Sequence, residues 1–341
     1  MFTGEKFSPQ RLKYMEEQQI PFENRLEIEK LLTAVEQLKT QLGRVISGQS
    51  DVIDLLLVGL LCDGHVLLEG VPGVAKTMLS KLMAKSLDIS FRRLQFTPDL
   101  MPSDVLGTSV FNPKTLEFEY KPGPVFSNFI LIDEINRSPA KTQAALFELM
   151  EERQITIDGT SYPMQEPFMV VATQNPIEQE GTYRLPEAQL DRFLLKVVVN
   201  YPSFEEELEM LKRFNYQKAT DSIVDFQPVL SQEKLIELRQ LVKAVLMDDN
   251  LLKYIAQITQ VSRSNNQLEL GISPRAAIAW MTASKAYAAL QGRDFVTPDD
   301  IKSISNAVLR HRLILTPDAE MEGITADELL EGIINKTEIP R

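Results

Sequence analysis

A chain of 341 residues with 44% apolar and 25% charged residues has ordinary globular composition and room for about two domains, which excludes a chain disordered throughout. Its formal charge of −12 makes the surface as a whole repel phosphate backbones and anionic membranes, so nucleic acid is not the expected partner. A single cysteine, Cys62, excludes an internal disulfide framework, suits a reducing cytoplasmic compartment, and is expected as a buried core thiol.

His65 and His311 lie far apart without a cysteine partner, which argues against a zinc site. The first residues mix both charge signs and do not read as a signal peptide. The longest apolar stretch, Val52 to Cys62, is interrupted by Asp54 and Gly59 and is too short to span a bilayer, so no stable membrane insertion is expected.

In chain order, residues 1–25 read as an N-terminal arm. Five runs rich in branched and aromatic residues then read as strands: HVLLEG from His65, FRRLQF from Phe91, NFILIDE from Asn128, FMVVATQN from Phe168 and FLLKVVVN from Phe193. Helical patterns fall between most of them. One starts at Lys76 and another near Ser138, with Ser138 as N-cap and Pro139 in the first turn. Strands alternating with helices imply an α/β fold with a parallel sheet covered on both faces. Residues 108–126 look like an inserted hairpin, and Asp158-Gly159 marks a second one. After the fifth run the strand signal stops. Ser203 and Glu206 have capping-box spacing, and Ser273-Pro274 and Thr297-Pro298 open further helices. The expected organisation is an arm at 1–25, a core at 26–203 and a helical lid at 204–341.

A strand ending at Gly70, then VPGVAKT, then a helix, is the context of a phosphate-binding loop, because backbone N–H groups and the helix N-terminus both face the anion. The candidate nucleotide-binding residues are Gly70, Val71, Pro72, Gly73, Val74, Ala75, Lys76, Thr77 and Met78. Lys76 would meet the β- and γ-phosphates, and the Thr77 hydroxyl would meet magnesium. The general pattern has glycine where Ala75 stands. Alanine is tolerated there if the backbone has already turned right-handed helical.

FILIDE places two acids at the C-terminal end of a buried strand. Asp133 would bind magnesium, and Glu134 would orient and deprotonate an attacking water; the alternative is a pair of solvated acids. Asn175 would touch the γ-phosphate or that water, or else serves as a turn residue before Pro176. Arg192 would neutralise charge on a γ-phosphate, in cis or from a neighbouring subunit, or else pairs with Glu187 or Asp191. Arg275 opposes the dipole at the first turn of a lid helix, which points to phosphate or to an ordinary salt bridge.

Three stretches, DEINRSPAKTQAALFELMEERQITIDG, VVATQNPIEQEGTYRLPEAQLDRF and GISPRA, together with these motifs, resemble the MoxR group of AAA+ ATPases over roughly residues 40–315. The resemblance implies a P-loop NTPase αβα sandwich with a five-stranded parallel sheet and a smaller all-helical lid. It makes Gly70 to Thr77 the Walker A loop, Asp133 and Glu134 Walker B, Asn175 the first sensor, Arg192 the arginine finger and Arg275 the second sensor. Ile46, within VISGQ, falls on the adenine side. The hairpin at 108–126 matches the insert that marks this clade and its magnesium-chelatase relatives. The implied cofactors are ATP and Mg2+. The implied assembly is a homo-oligomeric ring, a hexamer, that remodels protein clients, often beside proteins with a von Willebrand factor A domain. A nucleotide-controlled binding module with little turnover stays open as an alternative.

Overall fold

The computed structural model describes residues 25–340 apart from 47, 177–182, 184 and 217–225, so the expected arm lies outside it up to residue 24. Helix α1 (Arg25–Gly43) is followed by α2 (Ser50–Leu61), which is apolar on nearly every side and fully buried from Leu56 to Leu61. The core then runs β1 (Val66–Gly70), α3 (Lys76–Ser86), β2 (Phe91–Gln95), β3 (Phe129–Asp133), α4 (Ala140–Glu152), β4 (Met169–Gln174) and β5 (Leu195–Val199). Helix α4 starts one residue later than its sequence suggests, with Pro139 at the cap.

The five strands form one parallel sheet in the order β5-β1-β4-β3-β2. Their uninterrupted apolar runs are explained by what lies on each side. In β3, Phe129 and Leu131 enter one apolar cluster while Ile130 and Ile132 enter the other, and Met169 and Val171 alternate with Val170 and Ala172 in β4. Because the strands are parallel, the loop after β1 and the ends of β3 and β4 meet on one edge.

Both expected hairpins form. Gly107–Asn112 pairs with Glu117–Pro122, and Gln154–Ile157 pairs with Thr160–Pro163 around Asp158 and Gly159, which hold φ of 50° and 78°. They lean on each other: the Tyr120 and Tyr162 rings lie 4.4 Å apart, and the Ser109 hydroxyl donates to Asp158 Oδ2.

After β5 the chain is helical, with α5 (Phe204–Tyr216), α6 (Gln232–Ala244), α7 (Asp249–Arg263), α8 (Pro274–Leu290), α9 (Pro298–Leu309) and α10 (Ala326–Lys336) and a short ladder between Leu268–Leu270 and Ile314–Leu315. The helix starts follow the sequence signals. Ser203 and Glu206 exchange bonds, Ser273 Oγ accepts the Ala276 N–H at 3.0 Å, and Thr297 shares a capping box with Asp300. No gap in the apolar interior separates lid from sheet. One cluster runs from Leu68 and Val197 through α1 and α2 to Trp280 and Tyr254, both fully buried.

Cys62 meets the expectation of a buried thiol at its sulfur but not over the whole residue. It closes α2 as a half-buried residue whose thiol donates to Thr282 O, beside a cavity of about 300 Å³ between α2, α6 and α8. Desolvation of the sulfur pushes the thiol up to about 12, so it is not a reactive thiolate.

Candidate active site

At the C-terminal edge of the sheet lies a crevice of about 670 Å³ whose walls include the loop from Pro72 to Met78, the acids Asp133 and Glu134, and Asn175. Two glycines shape it for different reasons. A Cβ at Gly70 would come within 2.5 Å of Val199 O on β5, whereas Gly73 needs its freedom for a φ of 89°. Ala75 corrects the sequence expectation: it is left-handed, with φ 59° and ψ 19°, at the cap of α3. An L-residue there is strained by about 1 kcal/mol. Positive φ on both sides of Val74 is the alternation by which successive N–H groups converge on an anion.

The Lys76 ammonium donates to the carbonyls of Gly70 and Val71, the latter at 2.7 Å. Burial holds this amine below the usual lysine range, opposed by Asp133 and Glu134. The Thr77 hydroxyl donates to Asp133 Oδ1 at 3.0 Å. Asp133 is 4% exposed, and its other oxygen takes Arg93 Nε at 2.7 Å.

Glu134 turns off the strand in a left-handed conformation, φ 58° and ψ 53°, its N–H donated to Thr173 Oγ1 at 3.0 Å. Its Oε2 accepts from Gln95 Nε2 at 2.8 Å and faces Arg137 Nε at 3.1 Å. Asn175 is buried at the end of β4 and lines the same crevice.

Lys76, Thr77, Asp133, Glu134 and Asn175 are thus brought together. Ile46 is buried in the apolar core, and the neighbouring segment reaches the loop through Gln49 Nε2, which donates to Val74 O at 3.0 Å. Arg192 and Arg275 lie elsewhere. Both rest on Glu151 at the end of α4, Arg192 Nη1 at 2.8 Å and Arg275 Nη2 at 3.0 Å, and neither lines the crevice. The Arg275 hydrogen bond is the main cause that holds the Glu151 carboxyl below the usual glutamate range. Arg192 therefore pairs with Glu151, not with the Glu187 or Asp191 that its local sequence offers.

Sequence reasoning passed over Arg93, Gln95 and Thr173. Arg93 and Gln95 stand two residues apart on one face of β2, and the register sets Gln95 opposite Asp133. The alternation in FRRLQF is visible in the sequence, but the pairing of β2 with β3 is not.

The donor set suits magnesium that arrives with phosphate. Among the described residues no group of three or more His, Cys, Asp or Glu could hold a metal alone. A hydroxyl and one carboxylate oxygen within 3.0 Å of each other supply the partial set that Mg2+ completes with phosphate and water.

Residues 65–195 match the ATPase family associated with various cellular activities, and residues 260–333 match the AAA lid domain. The chain is 42% identical to Chaperone MoxR1 of Mycobacterium tuberculosis over 310 residues, covering 88% of this chain and 81% of that one. It is 49% identical to the uncharacterized protein YeaC of Bacillus subtilis over 299 residues, covering 88% of this chain and 92% of that one. The crystal structure of a protein from Cytophaga hutchinsonii, assigned as an ATPase, superposes with a TM-score of 0.83 at 42% identity, covering 97% of this chain and 99% of the other. With the parallel sheet and the helical lid in place, these matches put the chain in the MoxR-type AAA+ ATPases.

Proposed function

We propose that the protein is a Mg2+-dependent ATPase that works as a homo-oligomeric, hexameric ring in the cytoplasm and couples nucleotide turnover to remodelling of protein clients. One observation carries this reading: the Lys76 ammonium, the Thr77–Asp133 pair and the Glu134 carboxylate converge on one crevice at the end of a parallel sheet. The loop amides and Lys76 bind the β- and γ-phosphates. Thr77 and Asp133 would hold Mg2+, which would supply charge neutralisation at the phosphates. Glu134 takes a proton from water as its oxygen bonds to the γ-phosphorus, and the bond to the β-phosphate oxygen breaks to leave ADP. Asn175 orients that water.

Arg192 and Arg275, being away from their own chain's crevice, suit a head-to-tail ring in which they reach a neighbour's γ-phosphate. We place the arm at 1–25, the nucleotide-binding core at 26–203 and the lid at 204–341. The Gly107–Pro122 hairpin carries Phe111 and Phe118 exposed as an edge-to-face pair, and it is the surface we assign to clients, proteins with a von Willebrand factor A domain among them.

A nucleotide-controlled binding module is favoured by two contacts: Glu134 is engaged by Gln95 and Arg137, which would have to release it before it could act as a base. Phosphate release separates the two readings. A Glu134→Gln variant that binds MgATP like the parent but releases phosphate about a hundred to ten thousand times more slowly supports the ATPase. Tight binding by the parent without any phosphate release supports the module.

A further inference from the structure

Arg312, just beyond α9 in the lid, is 7% exposed and spends all five of its N–H donors. Nε donates to Asp191 Oδ1 at 2.6 Å, Nη2 to Asp191 O at 3.1 Å and Phe193 O at 2.8 Å, and Nη1 to Leu194 O at 3.2 Å and to Val308 O in α9. Four of the five bonds therefore fall on residues 191, 193 and 194, on either side of Arg192. The neighbouring His311 adds a bond from Nε2 to Phe193 O at 3.0 Å. Arg192 itself is pinned through Nη1 to Phe147 O and Glu151, and that same Glu151 holds Arg275 from α8. One short segment of the core is thus gripped from the lid at two points, by a buried fork below and a shared carboxylate above.

A buried guanidinium with every donor used is costly to place and costly to lose, because each orphaned carbonyl would be left without a partner. Simple packing of α9 would need no such group. The bonds are also directional: a fork that contacts backbone on both sides of a residue fixes where that residue's side chain starts.

We propose that Arg312 is a positioning residue for Arg192, so that the lid and the Arg192 segment of one chain move as a single body and any displacement of the lid displaces the guanidinium offered to the neighbouring subunit. The proposal rests on the reading that Arg192 completes a site on the next subunit. It predicts that a defect at Arg312 is felt by the neighbour's crevice and not by its own.

Mixed assemblies test it. Subunits carrying Glu134→Gln keep Arg192 but cannot hydrolyse, and subunits carrying Arg192→Ala keep Glu134 but offer no guanidinium. Their mixture recovers phosphate release if sites are shared. Adding Arg312→Lys, with three donors in place of five, to the Glu134→Gln subunit should lower the recovered rate about tenfold or more, since a misplacement of about 1 Å is worth up to a hundredfold. Adding it to the Arg192→Ala subunit should leave recovery within about twofold and the ATP affinity unchanged. Asp191→Asn, which keeps the backbone bonds and loses the carboxylate, should show the same polarity with a smaller loss, and it decides the matter if Arg312→Lys does not fold. Equal losses from either subunit would overturn the proposal and make Arg312 a general support. No recovery in the starting mixture would overturn the shared site, and this inference with it.

Discussion

The crevice and the arginine seam are built on opposite principles. In the crevice every candidate group sits within a few residues of a strand end, and the parallel sheet brings those ends together. In the seam the partners are far apart in sequence: Glu151 meets Arg192 and Arg275, and Arg312 meets Asp191. The crevice is also strained and partly open, with Ala75 and Glu134 both left-handed, whereas the Arg312 end of the seam is buried and its donors are spent. On the function proposed above, the locally assembled crevice binds and reacts while the long-range seam transmits position, so changes in the crevice should alter binding or chemistry within one chain and changes in the seam should alter what one chain does for another.

The largest expected effect breaks the contrast at its far end. Arg192→Ala should lower kcat of the assembled protein about a thousandfold while leaving ATP affinity and fold unchanged, because a guanidinium supplied to a transferring phosphoryl group is worth at least that much. Steady-state phosphate release beside a binding titration checks this, and a matching loss of affinity would place Arg192 in its own chain's crevice. Next, Lys76→Ala should weaken MgATP binding about ten- to a hundredfold, the value of a charge-assisted contact to phosphate, read by calorimetry.

A third test loads two buried histidines with protons, one of them in the seam. His65 donates from Nε2 to Met150 O and accepts the Val170 N–H at Nδ1, so it is buried neutral, and desolvation lowers it to about 4. His311, in the seam, is pushed well below 6.5, first by burial and then by Arg312. Both pKa values are lower folded than unfolded, so the unfolded chain binds more protons below pH 6.5. The stability His65 contributes is therefore full above 6.5 and lost as pH falls toward 4, by about 1.4 kcal/mol per pH unit, and His311 acts in the same direction. Urea midpoints at pH 7.5 and 5 measure it, and His65→Gln should flatten the slope. The smallest effect sharpens the crevice side. Ala75→Gly should relieve the left-handed strain and raise stability by about 0.5 kcal/mol after the entropy of the freer unfolded glycine is deducted, seen as a small rise in Tm.

Much of the crevice was legible in the sequence because its signals are local. GVPGVAKT before a helical pattern and FILIDE at a strand end both carry their context with them, and the register then sets them on one edge. Ala75 shows the limit of local reading, since a residue type does not reveal the handedness of its backbone, and here the loop imposes a left-handed turn on an alanine. Gln95 and Arg93 were hidden for another reason: their partners depend on β2 lying beside β3, which no property of FRRLQF declares. The lid's helices announced themselves by Ser203, Ser273 and Thr297. Its attachment did not, because a buried arginine bonded to carbonyls reads in sequence like any other arginine.

The central claim is that Glu134 drives hydrolysis in a crevice completed by a neighbour. Phosphate release per subunit, followed from dilute to concentrated protein for the parent and for Glu134→Gln, tests it most directly. The account predicts that the parent's specific activity climbs with concentration to a plateau and that the variant stays flat near zero. Specific activity independent of concentration, or a variant as active as the parent, would contradict it.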